Sequence, residues 1–172
     1  MIKLIKTTPN NLYYWEVWQN NTSLIIHEGT VGSVGQQSQI NVQIDQQSWK
    51  MSDLARQVIT KGYKIVSIDD LTDVVIQYQI DGFGAEHDLN KRVQIQNLVD
   101  QCLGWTGNGH CDGGDIGSGT MNIFCYVIAV EKAIVTVKEE LEKHSYLNGA
   151  VIAIEKEDEY LAVYPQGSTY IY

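Results

Sequence analysis

Proline is scarce, at two residues in 172. With no proline-rich stretch, internal repeat or low-complexity tract, the chain has no stiff linker, and its parts are expected to pack as folded units. Positive charge is also short. Twelve Lys and Arg against 21 Asp and Glu leave a net charge of −9 with neutral His. A phosphate backbone is held chiefly by Lys and Arg, so general nucleic-acid binding is disfavoured. No apolar run reaches the ~18 residues of a membrane helix, so no membrane association is expected. Cysteine is limited to Cys102, Cys111 and Cys125. An odd number at wide spacings with no CxxC speaks against a disulfide framework and a paired-ligand zinc site. The opening Met1-Ile2-Lys3-Leu4-Ile5-Lys6 is too short and too charged for a secretory leader, and a cytoplasmic location is expected.

What is present divides into two halves. In the first, Leu12 to Trp18 alternates Tyr13, Trp15 and Val17 against Tyr14, Glu16 and Trp18, the pattern of a half-buried strand. Asn20 and Asn21 mark a turn into a second strand, Ser23 to Glu28. A third strand is expected over Gln39 to Ile44. Met51, Leu54, Ala55, Val58 and Ile59 recur at helical spacing, one apolar face of a helix. Ser48 is its expected N-cap and Gly62 its left-handed stop. Tyr63 to Val66 reads as a short returning strand, and Asp69-Asp70 as the boundary, giving domains of 1–68 and 72–172.

The second half alternates elements. Val74 to Ile80 and Ile123 to Ala129 read as strands. Asp88 is the expected cap of a helix carrying Ile95, Leu98, Val99 and Cys102, with Gly104 as its stop. Val130, Ile134, Val137 and Leu141 suit another helix. Ala150 to Ile154 and Tyr160 to Tyr164 flank the charged hairpin tip Glu155 to Glu159. Tyr160, Tyr164, Tyr170 and Tyr172 are taken as packing residues, and the tail Gly167 to Tyr172 as a possible edge strand. The fold class is thus α+β: a small antiparallel sheet with one helix, then an α/β sandwich of order β-α-β-α-β-β.

The first half also resembles a known family. Tyr14-Trp15-Glu16-Val17-Trp18, then Ile25 to Gly32, then a helix ending Lys61-Gly62-Tyr63, is similar to the WGR domain over about residues 3–68. In the DNA-dependent poly(ADP-ribose) polymerases that module contacts a DNA end through its Trp and Arg. Here those two positions hold Glu28 and Thr30, while Gly29 and Gly32 match. A carboxylate where a phosphate would sit is repelled. The resemblance therefore implies the fold and not the grip on DNA. This acidic version looks like the WGR-like domains of bacterial proteins with no assigned function, and a segment similar to 104–120 follows some of them. For the second half the sandwich order is compatible with a ferredoxin-like arrangement.

That segment, Gly104 to Thr120, has seven glycines among seventeen residues. Read as a loop, it presents Trp105, Thr106, His110, Cys111, Asp112, Asp115 and Thr120 as tentative ligand-binding residues. A phosphate cradle is disfavoured, because the segment lacks a Lys and runs from helix into strand. His110, Cys111, Asp112 and Asp115 include metal-ligand types without paired zinc spacing or an EF-hand pattern. A Cys111 nucleophile would need a base from His110, His87 or His144, and adjacent carboxylates oppose its thiolate. The plainest reading is an ordered cap or a partner-binding surface. Cys102 and Cys125 read as core thiols, His27 as a satisfied edge histidine, and Glu139-Glu140 as a solvated helix face.

The leading expectation is a non-enzymatic interaction protein with a protein partner, a basic one by charge, and no cofactor. The alternatives are an enzyme, small-ligand or metal binder using 104–120, and nucleic-acid binding through the WGR-like half. Half of the basic residues, Lys3, Lys6, Lys50, Arg56, Lys61 and Lys64, fall in the first 64 positions.

Overall fold

Five antiparallel strands build the first sheet in the computed structural model, which describes residues 1–157 and 159–171. They are β1 (Ile2–Thr7), β2 (Leu12–Asn20), β3 (Ser23–Thr30), β4 (Gln36–Asn41) and β5 (Lys64–Ile65), in the order β4-β3-β2-β1-β5. Period-2 alternation decides the faces. Leu4, Trp15, Val17 and Leu24 point to one side and pack with Met51, Ala55 and Val58 of helix α1 (Gln47–Ile59). Ile59, expected on that stripe, is 39% exposed. Ser48 is not the cap: α1 begins at Gln47 with no side-chain cap bond, and the Ser48 hydroxyl accepts from Gln19. Gly62 is left-handed, at φ 91°. The third strand lies earlier than expected. The N-terminal β1, alternating Ile2, Leu4 with Lys3, was not anticipated.

The second sheet holds β6 (Thr72–Gln79), β7 (Gly109–Gly117), β8 (Thr120–Val127), β9 (Val151–Lys156) and β10 (Glu159–Tyr164), all antiparallel, in the order β10-β9-β6-β8-β7. Helices α2 (Glu86–Trp105) and α3 (Val130–Lys143) bury Ile95, Val99, Leu103 and Ala133, Val137, Leu141 against Val74, Ile76, Met121, Ile123 and Ile152. The order is β-α-β-β-α-β-β, with one strand more than expected, because the glycine-rich segment is β7 rather than a loop. Asp88 does act at the start of α2, from inside it, accepting the Ala85 amide at 2.9 Å. Gly104 does not end α2, which runs on to Trp105. The tail forms no strand among the described residues. Asp158 of the expected hairpin tip and Tyr172 lie outside the described residues.

The chain divides into two compact units, Met1–Asp70 with Trp105–Gly107, and Leu71–Gly104 with the chain from Asn108 on. A simple cut at 68–72 omits the three residues that belong to the first unit. The architecture is α+β, with two antiparallel sheets and three helices. Among the described residues no helix is long and apolar enough to cross a membrane.

Neighbouring positions of α2 should respond in opposite directions. Leu103 is fully buried, and Leu103→Ala should cost about 2–5 kcal/mol. Space beside Gly104 is open, so Gly104→Ala should add about 0.5–1 kcal/mol through helix propensity. Urea denaturation of the two variants checks both signs.

Candidate functional site

Residues 104–120 do not form one site. Trp105 and Thr106 belong to the first unit, where the Trp105 carbonyl accepts from the Gly35 amide at 3.1 Å and the Thr106 carbonyl from the Gly32 amide at 2.9 Å. From Gly109 the chain is strand, paired to β8 as His110↔Tyr126, Cys111↔Cys125, Gly113↔Phe124 and Asp115↔Asn122, with a register shift between Cys111 and Gly113. Two of the strand glycines have a packing reason: a Cβ at Gly109 or Gly114 would overlap the carbonyl oxygen of Tyr126 or Asn122. The pleat then separates the candidates. Cys111 packs toward the helix side, whereas His110 stacks obliquely on Tyr126 at 5.8 Å and Asp115 accepts from Asn122 at 2.7 Å, both on the opposite side. Thr120 is buried at the hairpin turn, its hydroxyl 3.4 Å from the Gly117 carbonyl.

The helix-free face of the second sheet is organised in transverse rows. In one row Asp115, Asn122 and Gln77 are linked side chain to side chain, with Gln77 to Asn122 at 2.9 Å. Gln77 also bonds both backbone groups of Ile171, so the C-terminal segment is tied down here. The next row is apolar: Phe124, Val75 and Ala153, partly covered by Tyr170. A further row is aromatic and acidic. His110 pairs with Tyr126, Tyr126 with Asp73, and Glu155 with Tyr160. Asp112, at the register shift, is exposed. Burial raises the Asp73 carboxyl above its ordinary value, partly offset by a Tyr160 hydrogen bond. The charges of Asp73, Asp112 and Glu155 raise the Tyr126 phenol, Asp73 first, then desolvation. Burial, then Asp73 and Glu155, push Tyr160 up to about 12. These rings therefore stay neutral at physiological pH, beside carboxylates that ask for a cation.

The first unit holds a buried polar chain that sequence reading missed. Lys3, Glu16 and His27 are direct cross-strand neighbours on β1, β2 and β3. Lys3 pairs with Glu16, His27 Nδ1 lies 3.6 Å from Glu16 Oε2, and His27 Nε2 lies 3.0 Å from the Tyr14 hydroxyl. That hydroxyl is 3.4 Å from the Trp105 carbonyl, and the Trp105 ring meets His27 edge-on at 5.6 Å. His27, expected at an edge, is 2% exposed and Tyr14 fully buried. Lys and Glu at matching positions of adjoining strands were the available signal. This chain fastens Trp105–Gly107, since its Tyr14 hydroxyl reaches the Trp105 carbonyl and the Tyr14 ring lies against Gly107; burial, then the Glu16 charge, pushes the Tyr14 phenol up to about 12.

At the WGR-like positions, Glu28 is exposed opposite Trp15, Gly29 and Thr30 stand opposite Tyr14 and Tyr13, and Gly32 has φ 85°. Of the nearby cations, Lys3 is paired with Glu16, Lys50 with Asp53 at 3.4 Å, and Lys6 donates to the Lys61 carbonyl at 2.8 Å. Among the described residues no group of three or more His, Cys, Asp and Glu side chains is placed to hold a metal ion. Comparison with known proteins finds no family model, curated sequence or solved structure that matches this chain.

The raised Tyr14 and Tyr160 phenols fix a pH response. A group that binds its proton more tightly folded than unfolded contributes stability below the unfolded value, and loses it as pH rises through the folded one. Stability should hold to about pH 10, the ordinary phenol value, and fall between there and about pH 12. Tyr14→Phe should flatten part of that fall while costing about 1–3 kcal/mol at neutral pH through the buried partners it strands. Urea midpoints measured across the alkaline range test both statements.

Proposed function

We propose that this protein is a binding protein rather than an enzyme, and that the helix-free face of its second sheet takes a basic, flexible segment of a protein partner. The row His110, Tyr126, Asp73, Glu155 and Tyr160 carries this reading. It offers neutral aromatic faces to a guanidinium or ammonium group and carboxylates for charge-assisted hydrogen bonds, and the row contains no Lys or Arg. Asp112 and Asp115 extend the acidic character along β7. A net charge of −9 steers a cationic partner toward the protein and repels a polyanion.

The fold assignments belong to the same proposal. The first unit is read as WGR-like without the Trp and Arg of the motif, in a bacterial and cytoplasmic setting. The second is read as ferredoxin-like, since β9-β6-β8-β7 is the 4-1-3-2 order of two interleaved βαβ units, with β10 added at one edge. The reading that 104–120 forms a single ligand loop has less support. Its residues are divided between two units and between two sides of a sheet.

An unstructured Arg- and Lys-rich peptide should bind saturably at physiological salt, followed by fluorescence anisotropy. The double variant Asp73→Asn with Glu155→Gln, and separately Tyr126→Ala, should weaken it by about tenfold, or ~1.4 kcal/mol. Glu139→Gln with Glu142→Gln removes the same charge from the exposed side of α3 and should change it by less than about twofold. A 5′-phosphorylated DNA duplex should show no saturable binding. Equal weakening by the two double variants, or duplex binding that fades with salt, overturns the proposal.

A further inference from the structure

Two thiols that the sequence keeps apart meet across the β7–β8 ladder. Cys111 and Cys125 are direct partners in the pairing, and their sulfurs lie 2.9 Å apart. Directly opposed strand positions bring two Cα atoms within the span that a disulfide bridges. No bond joins the two sulfurs in this structure. The Cys111 amide donates to Asp100 Oδ1 of α2 at 2.9 Å, which helps hold this part of β7 in place. The sulfurs differ in access: Cys111 is half-buried, whereas Cys125 is 2% exposed. β7 is also the outermost strand of its sheet, which leaves Cys111 the more accessible cysteine of the pair.

We infer that Cys111 and Cys125 form a reversible redox site, closing to a cross-strand disulfide under a peroxide oxidant. The Cys111 thiol gives up its proton as its sulfur attacks one oxygen of hydrogen peroxide, breaking the O–O bond; the departing hydroxide takes that proton, leaving a sulfenic acid and one water. The Cys125 sulfur then attacks the Cys111 sulfur, its proton leaving with the sulfenic oxygen as a second water. In sum, two thiols and one peroxide give one disulfide and two waters, and a dithiol reductant reverses the change by exchange. The close approach of Cys125 favours condensation over a second oxidation of Cys111. Contact with Cys111 and then burial raise the Cys125 thiol, in keeping with Cys111 rather than Cys125 as the first sulfur oxidised. Cys102, on α2, has its thiol pushed up to about 12, mainly by burial, and stays outside the bond. The site stands independently of the docking face proposed above.

The experiment is intact mass spectrometry of the full chain after peroxide, with the remaining thiols alkylated in denaturant. The expected product has lost two hydrogens, carries one alkyl group, on Cys102, and yields a linked peptide pair containing Cys111 and Cys125. Its melting temperature should exceed that of the reduced protein by about 5 °C or more, and a dithiol should restore the original mass and melting point. In Cys125→Ala, peroxide should add oxygen to Cys111 with no rise in melting temperature, and Cys102→Ala should still close the bond. The inference is overturned if the unaltered chain gains oxygen without losing two hydrogens, or if the linked pair includes Cys102. It fails equally if all three thiols alkylate after oxidation. These readings need no variant to fold.

Discussion

Antiparallel pairing of β8 with β6 on one side and β7 on the other is the constraint on which the second unit's chemistry rests. β8 is buried through Thr120, Met121, Asn122 and Ile123 and again at Cys125 and Val127. Its apolar positions are claimed by α2 and α3. Once those side chains are committed to the helices, the intervening Asn122, Phe124 and Tyr126 must face the other way, and each strand paired to β8 follows in step. The polar ladder, the apolar row and the acidic aromatic row are consequences of that one register.

The register also explains how the glycine-rich segment can be both permissive and specific. Gly109 and Gly114 allow the β7 backbone to lie against β8 where a side chain would strike a carbonyl. Between them His110 and Cys111, and just beyond them Asp115, are set at fixed positions on the two sides of the sheet. The shift beside Asp112 keeps that carboxylate exposed at the sheet edge, the kind of irregularity that re-aims a side chain. At Gly109 and Gly114 the glycine reflects close packing of strands, whereas the space beside Gly104 and Gly113 is open.

In the first unit a different balance operates. A half-buried Lys beside a buried Glu, His and Tyr would be costly if any partner were missing. Here each has a neighbour, through Lys3–Glu16, Glu16–His27 and His27–Tyr14. The last step reaches the Trp105 carbonyl. Gly35 is part of the same closure, since a Cβ there would overlap the Tyr14 hydroxyl. Such a network contributes specificity of arrangement more surely than net stability.

Local periodicity made much of the fold legible. The α1 stripe Met51, Ala55 and Val58, the α3 positions Val137 and Leu141, and the hairpin of β2 and β3 follow from spacing alone, because burying one face is a local requirement of an amphipathic element, while Val130 and Ile134 are only partly buried and Ala133 takes the third buried place. Strand β1 was obscured by Lys3 and Lys6, and β7 by glycine, whose weak strand propensity is offset only when a partner strand is already in place. The sequence by itself determined the α+β class, the acidic balance and the identities of the residues available for chemistry. Tertiary structure alone decided which of them meet. Cys111 with Cys125, Tyr126 with Asp73, and Tyr14 with Trp105 are long-range pairs, and their proximity depends on strand register and chain return, which no local window encodes.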